Sequence, residues 1–464
     1  MLSQAEFQAN ALSVLSAHQI KTDPADLATW GTDWTRSFVV DPLAVVFPES
    51  VEQVVQIVKK APEWGVALVP SGGRTGLSGG AVAPNREVVV SLDRMNAILD
   101  FLENDKIVHC QAGVITQQLQ EVAHQHGLFY PVDFSSSGSS QIGGNIATNA
   151  GGIRVIRYGL TRRWVAGLTV VTGTGAVLRL NHGLVKNATG YDLRHLFIGS
   201  EGTLGIVVEA EIRLIPTPAT QQVMVLAIPQ LLDILKVLRV FQDSLELSAF
   251  EFFSELALQK VQAHRDLQRP FTRSSPFYAL LEYDENEFEQ AQQTFAAAVD
   301  AGWVADGVVS QSLSQASALW ELREGISESI APYTPYKNDI SVRIGEIPEF
   351  LADVEKVVAQ NYPDLEVVWF GHIGDGNVHL NILRPPNVSI DEFYERCHTI
   401  SPQLFALIQA RNGSISAEHG VGLLKRDFLS YSRSEEEIQA MRQMKRIFDP
   451  HNILNPNKLL ATSQ

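Results

Sequence analysis

The sequence predicts an α+β protein of two main domains, and three observations predict it. Residues 41–217 read as short strands and helices interleaved with three glycine-dense stretches. Pro216-Thr217-Pro218 then interrupts regular structure. Residues 218–440 alternate strand-like runs with long polar helices, the pattern of an antiparallel sheet covered by helices. At roughly 100–200 residues per domain, 464 residues make two or three domains. A charged share of 19% beside a hydrophobic share of 45% is that of a globular chain.

Taken in order, residues 1–40 read as a helical lead-in, irregular at Trp30-Gly31-Thr32-Asp33-Trp34. Ala44–Phe47 is a strand. Ser50 and Gln53, three apart before an apolar-periodic run, form a capping signature for the helix carrying Val54, Val55, Ile57 and Val58. Val66–Pro70 is the next strand, completing a β-α-β unit. Directly after it comes Ser71-Gly72-Gly73-Arg74-Thr75-Gly76-Leu77-Ser78-Gly79-Gly80. Backbone N–H groups in such a loop approach an anion closely and form a nest for phosphate oxygens. It is neither a Walker A loop, lacking Gly-Lys-Ser/Thr, nor a Rossmann Gly-x-Gly-x-x-Gly. Val88–Leu92 and Ile107–Val114 are strands, and Gln117–His126 a helix. Residues 137–152 form a second small-residue stretch, too polar and glycine-rich for a core helix, against which a flat ligand can lie. Two strand-like runs flank Thr172-Gly173-Thr174-Gly175. A third glycine-rich turn, Gly199-Ser200-Glu201-Gly202-Thr203-Leu204-Gly205, ends in a strand. In the second half, Val223–Ile228 and Tyr278–Tyr283 read as strands, and Asn286–Ala298 and Ser314–Ser329 as helices.

The net charge of −16 argues against nucleic acid or an anionic membrane as the main partner. No apolar run reaches the length of a spanning helix. The N-terminal residues show neither a basic n-region nor an Arg-rich presequence. Two cysteines, Cys110 and Cys397, supply no disulfide framework. The expectation is a cytoplasmic protein.

The chemistry concentrates in Gly371-His372-Ile373-Gly374-Asp375-Gly376-Asn377-Val378-His379-Leu380-Asn381. Apolar runs on both sides of Gly-Asp-Gly-Asn read as a hairpin. A two-residue Asp375-Gly376 loop would pair Gly374 with Asn377 and set His372 directly opposite His379, with Asn381 on the same face. Two imidazoles at that spacing chelate a divalent ion if a third ligand arrives. Glu418, in Ser416-Ala417-Glu418-His419-Gly420, is the candidate, with His419 beside it as a proton acceptor. The competing reading is two core histidines and an ordinary Glu-His pair.

With these segments in hand, the chain over roughly residues 40–460 resembles the vanillyl-alcohol-oxidase/p-cresol-methylhydroxylase superfamily. Its downstream half resembles the FAD-linked oxidase C-terminal domain. Within that superfamily it is most similar to the FAD-linked D-2-hydroxyacid dehydrogenases, in particular the branch acting on D-2-hydroxyglutarate. The resemblance implies a two-part FAD-binding domain of the p-cresol-methylhydroxylase type at 41–217. A substrate- and metal-binding cap domain follows at 218–440, and a return to the FAD domain at 441–464. It implies that Pro70, Ser71, Gly72, Gly73, Arg74, Thr75, Gly76 and Leu77 hold the FAD pyrophosphate. Ser135, Gly138, Gly143, Gly144, Asn145, Thr148 and Asn149, with Gly202, Gly205 and Ile206, would wrap the flavin and ribityl chain, and Asn455 joins them from the terminal segment. No histidine lies in Ser71–Gly80, so FAD is expected to be non-covalent.

The resemblance also makes His372, His379 and Glu418 the implied ligands of a divalent metal, Zn²⁺ being the expected ion. His419 becomes the implied base, its imidazole titrating near neutral pH. A 2-hydroxyacid offers a hydroxyl and a carboxylate oxygen to one ion, and its C2 hydride passes to the flavin. Arg323 and Ser327, four apart on one helix, share a face, and an Arg fork fits a carboxylate. Lys337 is a second cation and Asn381 a hydrogen-bonding group. Arg343 stands where the family commonly has proline, adding a third cation nearby. Cations in this number argue for a second substrate carboxylate, hence 2-hydroxyglutarate or malate over lactate.

The resemblance further implies an electron acceptor such as an electron-transfer flavoprotein or a quinone, and admits a homodimer. An O₂-using oxidase of the same fold is the near alternative. A zinc hydrolase is the distant one, and it leaves the three glycine-rich stretches without a purpose. A non-catalytic binding protein is disfavoured by the intact His-His-Glu-His set.

Overall fold

A computed structural model describes residues 2–461. Met1 and residues 462–464, the outermost positions of the lead-in and of the terminal return, lie outside the described residues. The chain forms two compact units. The first comprises Met1–Gly152, Gly159–Thr217 and Glu418–Gln464; the second comprises Ile153–Tyr158 and Pro218–Ala417.

The first unit contains two sheets. In the smaller, Ala44–Val46 and Leu68–Ser71 each pair in parallel with Val88–Ser91, which lies between them, and Ile20–Lys21 adds an antiparallel edge. The connecting helix Val51–Trp64 starts where Ser50 Oγ accepts the Gln53 N–H at 3.3 Å. It ends at Gly65, whose φ of 65° is the left-handed cap that glycine adopts without cost. Gln53 reaches back to the Glu49 N–H rather than to that of Ser50, so only half of the expected box forms. The larger sheet is antiparallel, ordered Ile98–Leu102, Ile107–Gln111, Gly205–Arg213, Val165–Thr172, Val177–Leu180.

Two expectations are corrected here. Residues 142–148 form a helix, Ile142–Thr148, with Ile142, Gly143, Asn145 and Ile146 buried. The small residues that spoke against a core helix are what let it pack: a Cβ on Gly143 would lie 2.7 Å from the Ala112 Cβ. The C-terminal return begins at Glu418, not at 441. Buried Glu201 draws it in, accepting the Val421 and Gly422 N–H groups at 2.7 Å each. Further on, Leu454 bridges Leu68 in parallel, and Lys445 donates to the Thr203 and Leu454 carbonyls.

The second unit is built on a seven-stranded sheet, antiparallel throughout. Its order is Asp306–Val309, Gln221–Ile228, Phe277–Asp284, Ala249–Ser254, Val367–Gly371, Asn377–Ile382, Tyr336–Ser341. Side chains alternate across a strand and cross-strand partners point the same way. One face therefore carries Ala249, Glu251 and Phe253, Tyr278, Leu280 and Glu282, Val368 and Phe370, His379 and Asn381, and Lys337 and Asp339. Its apolar part buries Phe253, Tyr278, Leu280, Val368 and Phe370 against Leu258, Val261, Leu319, Trp320 and Ile326 of the helices Glu255–Arg265, Leu313–Glu324 and Ile326–Ile330. The polar remainder of that face is the candidate site. Among the described residues no helix is long and apolar enough to cross a membrane.

Candidate active site

The hairpin of the second unit is real, but its turn is longer than the spacing suggests. His379 pairs with Phe370, Leu380 with Trp369 and Asn381 with Val368. The register is thus two residues away from the expected pairing of His372 with His379. Residues 372–376 form the turn, closed by Asn377 N–H to His372 O at 3.2 Å and by Asp375 N–H to the same oxygen at 3.1 Å. The cause is a second anchor: Gly374 donates to Phe250 O at 3.0 Å, drawing the turn over the neighbouring strand. Gly376, at φ 91°, completes it, and a Cβ there would lie 2.5 Å from Val342 O. A shift of two preserves the faces, and the two imidazoles still meet edge to face with ring centroids 5.3 Å apart.

His372 is buried, and its Nδ1 lies 2.7 Å from Glu251 Oε1. With Nδ1–H donated to the carboxylate, the lone pair belongs to Nε2, the arrangement that presents imidazole to a metal. His379 Nδ1 is 3.7 Å from Asp339 Oδ1, whose carboxylate also accepts the Asn377 amide at 2.9 Å. Glu418 follows directly on Ala417, which donates to Asp339 O at 3.3 Å. One ligand atom from each of His372, His379 and Glu418 falls within 4.8 Å of the others. Two imidazoles and a carboxylate so close suit a borderline divalent cation, and the Glu251–His372 bond is the outer support such sites use. The donor set therefore fits a divalent metal. His419 sits one residue on, before the Glu201-anchored loop.

Arg323 is 6% exposed, so it is no solvated surface cation. Its guanidinium lies over the Phe370 ring, 4.7 Å from the centroid, and Nη2 is 2.7 Å from Glu251 Oε2. The contact is an ion pair without hydrogen-bond geometry: Nε and Nη2 of Arg323 make no hydrogen bond among the described residues. Asn381 Nδ2 is likewise buried and makes no hydrogen bond among the described residues. Unmade hydrogen bonds at buried donors are costly, which makes these two groups candidates to hold a ligand. Ser327 does not share the face of Arg323. The helix breaks at Gly325, so the four-residue spacing does not carry across, and Ser327 is exposed. Ser329 is the inward serine of that helix. Lys337 pairs with Asn381 across the strands and so shares its face. Its side chain is open to solvent, yet the protein around it removes enough water to lower the ammonium pKa. Arg343 is exposed, at the start of the 3₁₀ turn Ile344–Glu346.

In the first unit the glycine-rich stretches converge. A Cβ on Gly73 would lie 2.1 Å from Ser139 O, and one on Gly72 3.7 Å from the Gly144 Cα. A Cβ on Gly202, at φ 70°, would meet the Pro70 ring at 3.2 Å. Gly144, by contrast, faces open space. Ser71 Oγ is buried with no partner among the described residues, and Arg74 takes a left-handed φ of 57° beside Asp93, 3.6 Å away. Backbone packed to this closeness, with an open glycine and an orphaned hydroxyl, is a cradle that fits FAD. Thr75, Gly76 and Leu77 continue the loop, and Ser135 and Gly138 are exposed on the neighbouring one. Several expected cofactor residues also bond within the protein. Asn145 donates to Thr116 Oγ1 at 2.6 Å, Asn149 Oδ1 accepts the Arg162 N–H, and Thr148 bonds back to Gly144 O. Gly205 and Ile206 lie in the sheet. Asn455 donates to the Gly80 and Glu201 carbonyls and accepts from Lys458.

Sequence reasoning missed Glu251, Asp339 and Glu201. Glu251 left a signal: it is the one charge in Ala249-Phe250-Glu251-Phe252-Phe253, on the same face as Ala249 and Phe253.

Glycine-built cradle and antiparallel cap sheet together are those of a flavin-dependent oxidoreductase, and comparison with known proteins agrees. Residues 42–181 match the FAD binding domain and residues 217–459 match the C-terminal domain of the FAD linked oxidases. The chain belongs to the FAD-linked oxidase family. It is 57% identical over 446 residues to the D-2-hydroxyglutarate dehydrogenase of Stutzerimonas stutzeri (strain A1501), covering 96% of each chain. It is 53% identical to that of Xanthomonas citri pv. viticola, covering 96% of this chain and 95% of the other. The mitochondrial D-2-hydroxyglutarate dehydrogenase of Arabidopsis thaliana is 37% identical over 97% of this chain and 80% of its own. In fold the chain is similar to 4-ethylphenol oxidase from Gulosibacter chungangensis, with a TM-score of 0.76, 18% identity, and coverage of 99% of this chain and 98% of that one.

Proposed function

We propose that this chain oxidises D-2-hydroxyglutarate to 2-oxoglutarate with FAD as its electron acceptor. The observation that carries the reading is the single sheet face of the second unit. There His379, met by His372 from the turn, lies beside Arg323 and Asn381, whose Nε, Nη2 and Nδ2 groups make no hydrogen bond among the described residues. The names of the bacterial and plant relatives support the same substrate.

Bound FAD supplies the hydride acceptor, and a divalent ion, Zn²⁺ by its donor set, supplies Lewis acidity between His372, His379 and Glu418. The chain's own residues do the rest. Arg323 presents Nε and Nη2 to a substrate carboxylate from beneath, its plane fixed by Phe370. Lys337, across the strand from Asn381, takes the second carboxylate at the open rim. That assignment favours a dicarboxylate such as 2-hydroxyglutarate or malate over lactate. Asn381 Nδ2 donates to a substrate oxygen. His419 accepts the proton of the 2-hydroxyl as the C2–H bond breaks, its two electrons leaving as hydride and the C–O bond becoming the carbonyl. The FAD is held without a covalent bond, and its electrons pass on to an electron-transfer flavoprotein or a quinone. Buried, reduced Cys110 and Cys397 suit a cytoplasmic setting.

Anaerobic bleaching of the flavin absorbance tests the reading. D-2-hydroxyglutarate bleaches the purified protein rapidly, D-malate more slowly and D-lactate least. A chelator abolishes the reaction and Zn²⁺ restores it. A yellow protein that none of the three bleaches overturns the substrate class. Bleaching that survives complete metal removal overturns the metal's part.

A further inference from the structure

Glu251 sits in the middle of the strand Ala249–Ser254 and is fully buried. A carboxylate in a dry interior costs several kcal/mol unless it is partnered. The same sheet face carries a second buried acid, Glu282, and the two are used differently. Glu282 holds the fold together, accepting from Arg154 Nε at 2.8 Å and from Trp320 Nε1 at 3.1 Å. Both partners of Glu251 belong to the candidate site. Oε1 lies 2.7 Å from His372 Nδ1, and Oε2 lies 2.7 Å from Arg323 Nη2.

Each contact leaves its partner ready for something else. Nδ1 of His372 is occupied, so Nε2 is the nitrogen with a lone pair for a metal. Arg323 is held in charge balance over Phe370, but its Nε and Nη2 protons are not spent on Glu251. A guanidinium so fixed meets an incoming carboxylate with little rotamer entropy left to lose.

We infer that Glu251 is a positioning residue that uses one carboxylate to set two subsites: it orients His372 as a metal ligand and aims Arg323 at the substrate carboxylate. The inference rests on the reading proposed above and deepens it. Its consequence is that loss of the carboxylate weakens ion binding and carboxylate binding together, whereas loss of Arg323 weakens only the second.

The test uses the full-length FAD-loaded protein as wild type, Glu251→Gln, Arg323→Met and the double variant. Zn²⁺ affinity is measured without substrate, by competition with a chelator of known affinity, and the flavin-to-protein ratio reports folding. Glu251→Gln and the double variant are expected to bind Zn²⁺ about 10–100-fold more weakly, as for loss of other outer-shell partners of metal-bound histidine, and Arg323→Met is not. KM for D-2-hydroxyglutarate rises in both single variants. Should Glu251→Gln fail to fold with Arg323 left uncompensated, the double variant, which removes both charges, is compared with Arg323→Met instead. Equal Zn²⁺ affinity in that comparison overturns the inference, as does a wild type that binds no divalent ion. A wild type that binds Zn²⁺ but is bleached by no 2-hydroxyacid sinks the function proposed above, and the Zn²⁺ comparison still decides the role of Glu251 toward His372.

Discussion

His372 and His379 stand edge to face, with planes at 83°, although they are not partners across the hairpin. His379 pairs with Phe370, and its ring lies 5.0 Å from that one. His372 reaches the same place from the turn, held by Glu251. The two imidazoles thus arrive by different routes, one from a strand and one from a loop. His379→Ala leaves strand pairing and the flavin cradle untouched, so FAD content is expected to stay at wild-type level. Zn²⁺ affinity and kcat/KM for the 2-hydroxyacid fall by at least about a hundredfold, since a ligand counts for more than its outer support. Metal analysis after dialysis, beside flavin absorbance, checks this.

The cradle makes a sharper prediction from two glycines. A Cβ on Gly73 would sit 2.1 Å from the Ser139 carbonyl, closer than any real contact, so Gly73→Ala must displace backbone and lower the thermal midpoint. Gly144 meets nothing within 4 Å. Gly144→Val is therefore expected to fold, since valine is the better helix former of the two, and to lose FAD by filling the space proposed for the ligand. Absorbance of the purified variants and refolding with added FAD separate the two. A Gly144→Val protein as yellow as wild type would move the flavin elsewhere.

Residues 153–158 belong to the second unit, where two arginines tie them to Glu282 and Asp284 at the end of the interior strand Phe277–Asp284. Arg157 makes a bidentate pair with Asp284, at 2.7 and 3.0 Å. The hydrogen bonds from Arg157 hold the Asp284 carboxyl below its ordinary value. The folded pKa is lower than the unfolded one, so the stabilisation is fully present above the unfolded value of about 3.9 and disappears as pH falls through the folded pKa. Asp284→Asn is expected to cost about 2 kcal/mol at pH 7, and the gap to wild type should close in acid below about pH 4. Denaturant midpoints at pH 7 and in acid measure it.

How much of this was legible in the sequence differs between parts for physical reasons. The strand periods at 223–228 and 278–283 and the break at Pro216-Thr217-Pro218 are local signals, and the structure has strands and a unit boundary there. The composition of His372–His379 told that two imidazoles would meet, because a slip of two residues leaves faces unchanged. The register itself was not legible, since the Gly374 N–H to Phe250 O bond that sets it joins residues 124 apart in sequence. Glu251 could be seen as a charge in an apolar strand, but its partners at 323 and 372 could not. The polar and glycine-rich composition of 142–148 speaks against a core helix because it weighs propensity alone, while contact with Ala112 decides the matter.

Arg323 and Ser327 give the last prediction, because the break at Gly325 separates two residues that an unbroken helix would have aligned. Arg323 is buried over Phe370 with donors unspent, and Ser327 faces solvent. If the guanidinium binds a substrate carboxylate, Arg323→Ala raises KM for D-2-hydroxyglutarate strongly, by about 1.5–3 kcal/mol, or roughly ten- to a hundredfold. Arg323→Lys rescues little, because a point charge replaces a fork stacked on an aromatic ring. Ser327→Ala stays within about twofold of wild type on the same substrate, as a solvent-facing change away from such features does. The two substitutions lie four residues apart on neighbouring helices, so a shared effect on folding would appear in both thermal midpoints and a binding effect in only one KM. Steady-state kinetics with D-2-hydroxyglutarate and with D-lactate completes the comparison. A dicarboxylate KM unchanged by Arg323→Ala would remove Arg323 from the substrate and leave it as the counter-charge of Glu251 alone.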